Sequence, residues 1–197
     1  MKNNMIYKLA VSADLNENKA KNIEKIIRDH SLAAAATAAT TSFLPAVGVT
    51  IAGIIAKGFT WTMLFRICLA MGIDVNKEAL KPFASAIMAK VAAYMAMVLA
   101  GGTILSLFPG IGSMGASALG VMLSYSMVYA SGLLFMGMMA RVVKRGGADQ
   151  MTAAEILRQA QKERVTHEEI ARAAEKAMQV YANEDKQDSA NPAVRPV

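Results

Sequence analysis

Charged and apolar positions alternate regularly in some parts of this chain and separate completely in others. From Leu15 to His30 the apolar residues Ala20, Ile23, Ile26 and Ile27 recur at helical spacing, with charged residues between them. That pattern predicts an amphipathic helix. Asp14 or Asn16 would cap it, and Glu17–Lys21 and Glu24–Arg28 would pair one turn apart. Two long stretches, 31–56 and 91–140, then lack any Asp, Glu, Lys, Arg or His. In the first, Phe43-Leu44-Pro45-Ala46-Val47-Gly48 breaks the run, and Pro45 and Gly48 mark a turn. Neither arm reaches across a hydrocarbon core of roughly 30 Å, so a kinked span or a shallow hairpin is expected. Residues 58–73 are apolar apart from Arg66. A loop over 72–76 follows, with Asn76 placed to cap a helix and Glu78 in its first turn. Pro82 favours a helix start near itself.

The second uncharged stretch divides at Pro109-Gly110-Ile111-Gly112. Its second arm exceeds the roughly 20 residues that cross a bilayer, and its first is just adequate. Lys90 flanks one end and Arg141, Lys144 and Arg145 the other, which places both ends on the cytoplasmic side. Lys90, Arg66, Arg141, Lys144 and Arg145, with Trp61, are the expected membrane-interface anchors, and Tyr94 belongs to the same belt. The segment Ser42–Gly48 echoes Ser106–Gly112 at an offset of 64 residues, which suggests two hairpins with similar tips. Gly112, Ala116, Gly120 and Ser124 form a stripe of small residues at period four, the pattern that lets two helices approach closely. Ser85, Ala89 and Ala93 make a weaker stripe to face it. An internal seam is favoured over a homo-oligomer interface.

Beyond Gly146-Gly147, Thr152-Ala-Ala-Glu155 and Thr166-His-Glu-Glu169 each have capping-box spacing. They predict two short soluble helices, with Ile156, Leu157 and Ala160 on one apolar face and Ile170, Ala174, Ala177, Met178 and Tyr181 on the other. The polar residues from Asn183 onward read as a disordered tail. The expected fold is therefore all-α, in four parts: an N-terminal amphipathic helix over 1–30, a hydrophobic helical domain over 31–145, a soluble helical pair over 146–182, and the tail over 183–197.

Composition narrows the function. The chain has 197 residues, is 54% hydrophobic and holds one cysteine, so it is neither disordered throughout nor disulfide-stapled. The net charge of +6 is spread out: six basic and four acidic groups in 1–30, five and two in 57–90, ten and nine in 141–197. No dense basic patch points to nucleic acid. No apolar h-region precedes Ser31, so no signal peptide is expected.

Three blocks, Leu44-Pro45-Ala46-Val47-Gly48, then Met71 through Glu78, then Leu107-Phe108-Pro109-Gly110-Ile111-Gly112-Ser113, are followed by a small-residue helix through Tyr125 and Tyr129. In order and spacing they resemble domain-of-unknown-function family 697, over roughly residues 31–145. That helical domain is associated with bacterial Era-like and dynamin-like GTPases and with YcjF-type inner-membrane proteins. The resemblance implies a membrane-associated helical module beside a GTPase, on the cytoplasmic face of a bacterial inner membrane. It brings no catalytic residues. The chain has no Gly-x-x-x-x-Gly-Lys-Ser/Thr, so the GTPase would be a separate partner.

Other motifs carry less. Gly110-Ile-Gly112-Ser-Met-Gly115 formally fits a dinucleotide fingerprint, but no β-branched strand precedes it and no acidic residue follows about 20 positions on. The fifteen methionines sit mainly among apolar residues, where they fill gaps rather than bind copper. His30 and His167 read as helix-end residues, and Cys68 as an inert core thiol. No catalytic constellation, cofactor site or metal site is expected. The sequence thus leads to a non-catalytic, membrane-associated helical scaffold contacting lipid and a protein partner. Its rivals are a soluble helical interaction module and a pore-forming protein that releases a buried hairpin into a bilayer.

Overall fold

The computed structural model describes residues 5–41, 48–100, 116–146 and 151–190. All regular structure among them is helical. There are seven helices: α1 (Met5–Ser12), α2 (Glu17–Thr41), α3 (Gly48–Met71), α4 (Lys77–Ala100), α5 (Ala116–Gly146), α6 (Ala153–Lys162) and α7 (His167–Ala190). Pro45, Pro109, Gly110 and Gly112, four of the expected hairpin-tip residues, lie outside the described residues, and Gly48 is the first residue of α3.

Local chemistry fixes the helix ends. α1 closes on Asp14, which takes φ +59° so that Leu15 N–H reaches Ala10 O (3.2 Å). Asp14 therefore ends α1, and Asn16 caps α2 by accepting from Lys19 N–H (2.9 Å). α3 closes on Gly72 at φ +85°, with Gly72 N–H donating to Leu69 O (3.0 Å) and Ile73 N–H to Cys68 O (2.9 Å). This left-handed closure suits glycine, which has no Cβ to oppose it.

Three expected boundaries move. α2 does not stop near His30 but runs to Thr41, because its buried face continues through Ser31, Ala34, Ala35 and Ala38. Ser31 satisfies its hydroxyl within the helix by donating to Ile27 O (2.8 Å). Of the two starts the sequence offers for α4, the Asn76 cap is the one taken: the helix begins at Lys77, not near Pro82, and Asn76 Oδ1 accepts from Glu78 N–H (2.8 Å). Pro82 then withholds one hydrogen bond from the second turn, which is largely exposed. α7 continues through Asn183 to Ala190, so the start of the expected tail is helical. α1 was not foreseen; Ile6 and Ala10 are its buried face.

The architecture is a bundle around α5, which packs against α1, α2, α3, α4, α6 and α7. α2 and α3 lie antiparallel: Lys19 reaches Gly72 at one level, and Asn22, Lys25 and Asp29 share a groove with Arg66 and Leu69 further along. α7 runs antiparallel along α5, tied by Arg141–Glu169 near one end (2.5 Å) and by a Tyr125–Tyr181 ring contact (5.3 Å) toward the other. Phe83 of α4 meets Phe135 of α5 edge-on at 5.6 Å. From Met122 to Met136 every residue of α5 is buried. A helix that is apolar on all sides requires such a sheath when it does not face lipid.

Candidate functional site

Among the described residues, two helices are long and apolar enough to cross a membrane. They differ in what covers them. The apolar window of α5 is 83% buried inside the bundle, whereas that of α4 is only 44% buried. Beyond Phe83, α4 turns Ala86, Ala89, Lys90, Ala93, Ala96, Met97 and Ala100 outward. Lys90 is the one charge on that face, and Met97 keeps 52% of its surface. The small residues Ala89 and Ala93 therefore point away from α5 rather than toward its small-residue stripe.

On α5, Ser124 is fully buried and Gly120 half-buried; Gly112 lies outside the described residues. A close helix approach falls further along, at Gly132. A Cβ placed there would stand 3.0 Å from Cδ1 and Cγ1 of Ile27 on α2. Sequence reading stopped the stripe at Ser124. Counting on by four from Ser124 through Val128 arrives at Gly132, so the signal was present.

The expected anchors take different places. Arg66 and Lys90 are exposed. Trp61 is occupied inside the fold: its indole N–H donates to Lys77 O (2.9 Å), and Lys81 Nζ lies 4.7 Å over its ring. Arg141 and Arg145 both bind Glu163 in the loop between α6 and α7, Arg141 at 2.8 Å, and Arg141 also holds Glu169. These two arginines tie α5 to the C-terminal pair. Lys144 is exposed and makes no ion pair among the described residues. Tyr94 meets His167 edge-on at 5.5 Å.

Both predicted capping boxes are present. Thr152 and Glu155 exchange bonds at the start of α6, and Thr166 and Glu169 do so at the start of α7, through Glu169 N–H to Thr166 Oγ1 (3.2 Å) and Thr166 N–H to Glu169 Oε2 (2.8 Å). Burial pushes the Glu169 carboxyl up, but the Thr166 amide and Arg141 outweigh it and hold it below its ordinary value. The Glu17–Lys21 pair forms at 2.9 Å. Arg28 pairs across the bundle with Glu184 (2.7 Å).

His30 is not at a helix end; it lies within α2 and is 8% exposed, with its Nδ1–H donating to Ile26 O (2.7 Å). Burial, with Arg66 nearby, pushes its pKa down. Cys68 is buried, and burial raises its thiol to about 12. Among the described residues no three His, Cys, Asp or Glu side chains gather as a metal site would require. Among the described residues, Ser124 Oγ, Tyr125 Oη, Ser126 Oγ and Glu184 Oε2 are buried without a hydrogen-bond partner. Comparison with known protein families, curated proteins and solved structures finds no match.

Proposed function

We propose that this chain is a non-catalytic helical scaffold that associates with a membrane through the outward face of α4 and keeps α5 as its internal core. The observation that carries this reading is the unequal cover of the two apolar helices, 44% for α4 against 83% for α5. An uncharged face of Ala93, Ala96, Met97 and Ala100 beside the exposed Lys90 suits the boundary between acyl chains and headgroups, where a lysine anchors and an apolar face enters. Attachment of this kind is peripheral and requires no opening of the bundle. The C-terminal pair, fixed to α5 by Arg141 and Arg145, then presents its outer surface to a protein partner. The sequence resemblance makes a GTPase the partner to try first.

Burial of α5 also favours a second reading, a soluble helical interaction module in which α4 meets protein rather than lipid. Flotation of the full chain with anionic vesicles, followed by salt and carbonate washes, separates the readings. The scaffold reading expects flotation that survives salt, is stripped by carbonate, and is lost in Met97→Lys. A wild-type chain that stays at the bottom of the gradient overturns it in favour of the soluble module. Resistance to carbonate overturns it in favour of insertion, the step a pore-forming protein would use.

A further inference from the structure

A cleft of about 280 Å³ opens between α1, α5 and α7. Its floor is apolar, formed by Met5, Leu9, Leu133, Gly137 and Ala140. Three cations, Arg141, Lys144 and Arg172, stand around it with a single carboxylate, Glu169. We propose that this cleft binds a single-chain anionic amphiphile, a free long-chain carboxylate, with its alkyl chain along α5 and its headgroup at Lys144.

Two independent observations support an occupant of this chemistry. The first is charge. Glu169 is already engaged by Arg141 (2.5 Å) and by the Thr166 amide (2.8 Å), so its negative charge is answered within the fold. Arg172 is engaged by Glu168, and Arg141 also by Glu163. Lys144 makes no ion pair among the described residues, so the rim keeps positive charge for an incoming anion. The second is space. A Cβ added at Gly137 would meet no atom within 4 Å. Glycine inside a helix is less favourable than alanine, and here no neighbour demands it. The opening at Gly137 is therefore not imposed by packing, and a side chain there would start from open space toward the cleft. The volume lies at the small end of ligand sites, which suits one chain rather than the two of a bilayer phospholipid.

The test uses the full chain and dodecanoate below its micelle concentration, read by calorimetry and thermal denaturation. The proposal expects saturable binding that raises Tm. Gly137→Leu keeps the helical circular dichroism and raises the unliganded Tm, but loses dodecanoate binding. Lys144→Glu, an exposed substitution, weakens binding by about tenfold. Dodecyltrimethylammonium, with the same chain and the opposite charge, gives no saturable shift. Equal shifts from the two amphiphiles, or full dodecanoate binding by Gly137→Leu, overturn the proposal. Loss of both phosphatidylglycerol-vesicle flotation and dodecanoate binding in Gly137→Leu also overturns it, because the cleft would then serve bilayer lipid. Retained flotation with lost dodecanoate binding supports it, and the membrane contact of α4 then stands or falls separately.

Discussion

At Gly132 one missing carbon atom sets the distance between two helices. Three atoms of Ile27 lie at 3.0–3.1 Å from where a Cβ would be, and Ile27 is fully buried with nowhere to retreat. Gly132→Ala gains helix propensity of about 1 kcal/mol but overpacks the seam by about 1–3 kcal/mol. We expect a net loss of stability in chemical denaturation. Ile27→Ala alone is destabilising, and combined with Gly132→Ala it costs less than the two losses added. Strict additivity would show that the two residues do not share a seam. His30 gives a second prediction. Its pKa is lowered from the ordinary 6.5, chiefly by burial, with Arg66 lowering it further and the Ile26 carbonyl and Asp29 opposing. Its contribution is thus fully present above that value. As the pH falls, the unfolded ring takes up a proton first, and stability is lost through the folded pKa. Tm should drop as the pH falls below about 6.5, and drop less in His30→Gln. Identical drops would remove His30 as the cause. Glu155 and Glu169, both held below 4.5, act in a more acidic window.

Among the elements, the starts of the two C-terminal helices were the most legible. Their start signals are local, and both capping boxes formed where Thr152 and Thr166 placed them. The end of α2 was not legible, because the charge pattern stops at His30 while the burial pattern continues through Ala34 and Ala38. Periodicity of small alanines is a weak sequence signal, although in the fold it is ordinary close packing. Arg28 shows the same limit: a partner four residues back is visible in sequence, whereas Glu184, far along the chain, is visible only in the fold. The two caps should differ in consequence. α6 has ten residues, too short to persist alone. Losing Thr152 should fray it at a cost of about 1 kcal/mol. Thr166 also positions Glu169, which holds Arg141, so its cap is coupled to the attachment of α7 on α5. Thr166→Ala should cost about 2 kcal/mol and speed amide exchange in both α7 and the end of α5. Exchange confined to the first turn of α7 would show the cap to be merely local.

For the whole molecule, apolar length announces that α5 must be shielded from water and does not say by what. The shield here is protein, and one native residue reports on it. Cys68 is the only cysteine in the chain, lies on α3, and is fully buried, with its thiol raised to about 12. A neutral, inaccessible thiol reacts slowly with a disulfide reagent at neutral pH. Labelling then requires the sheath to open, so its rate measures the opening equilibrium. The scaffold reading expects slow labelling in buffer and equally slow labelling on anionic vesicles, since attachment through α4 leaves the bundle closed. A pore-forming mechanism must part α3 from its neighbours to free α5, and labelling on vesicles would then rise by orders of magnitude toward that in denaturant. An unchanged rate under conditions where the chain floats with the vesicles would establish that it holds the membrane without opening. A large increase would make α5 the membrane-active element and α4 only its first contact.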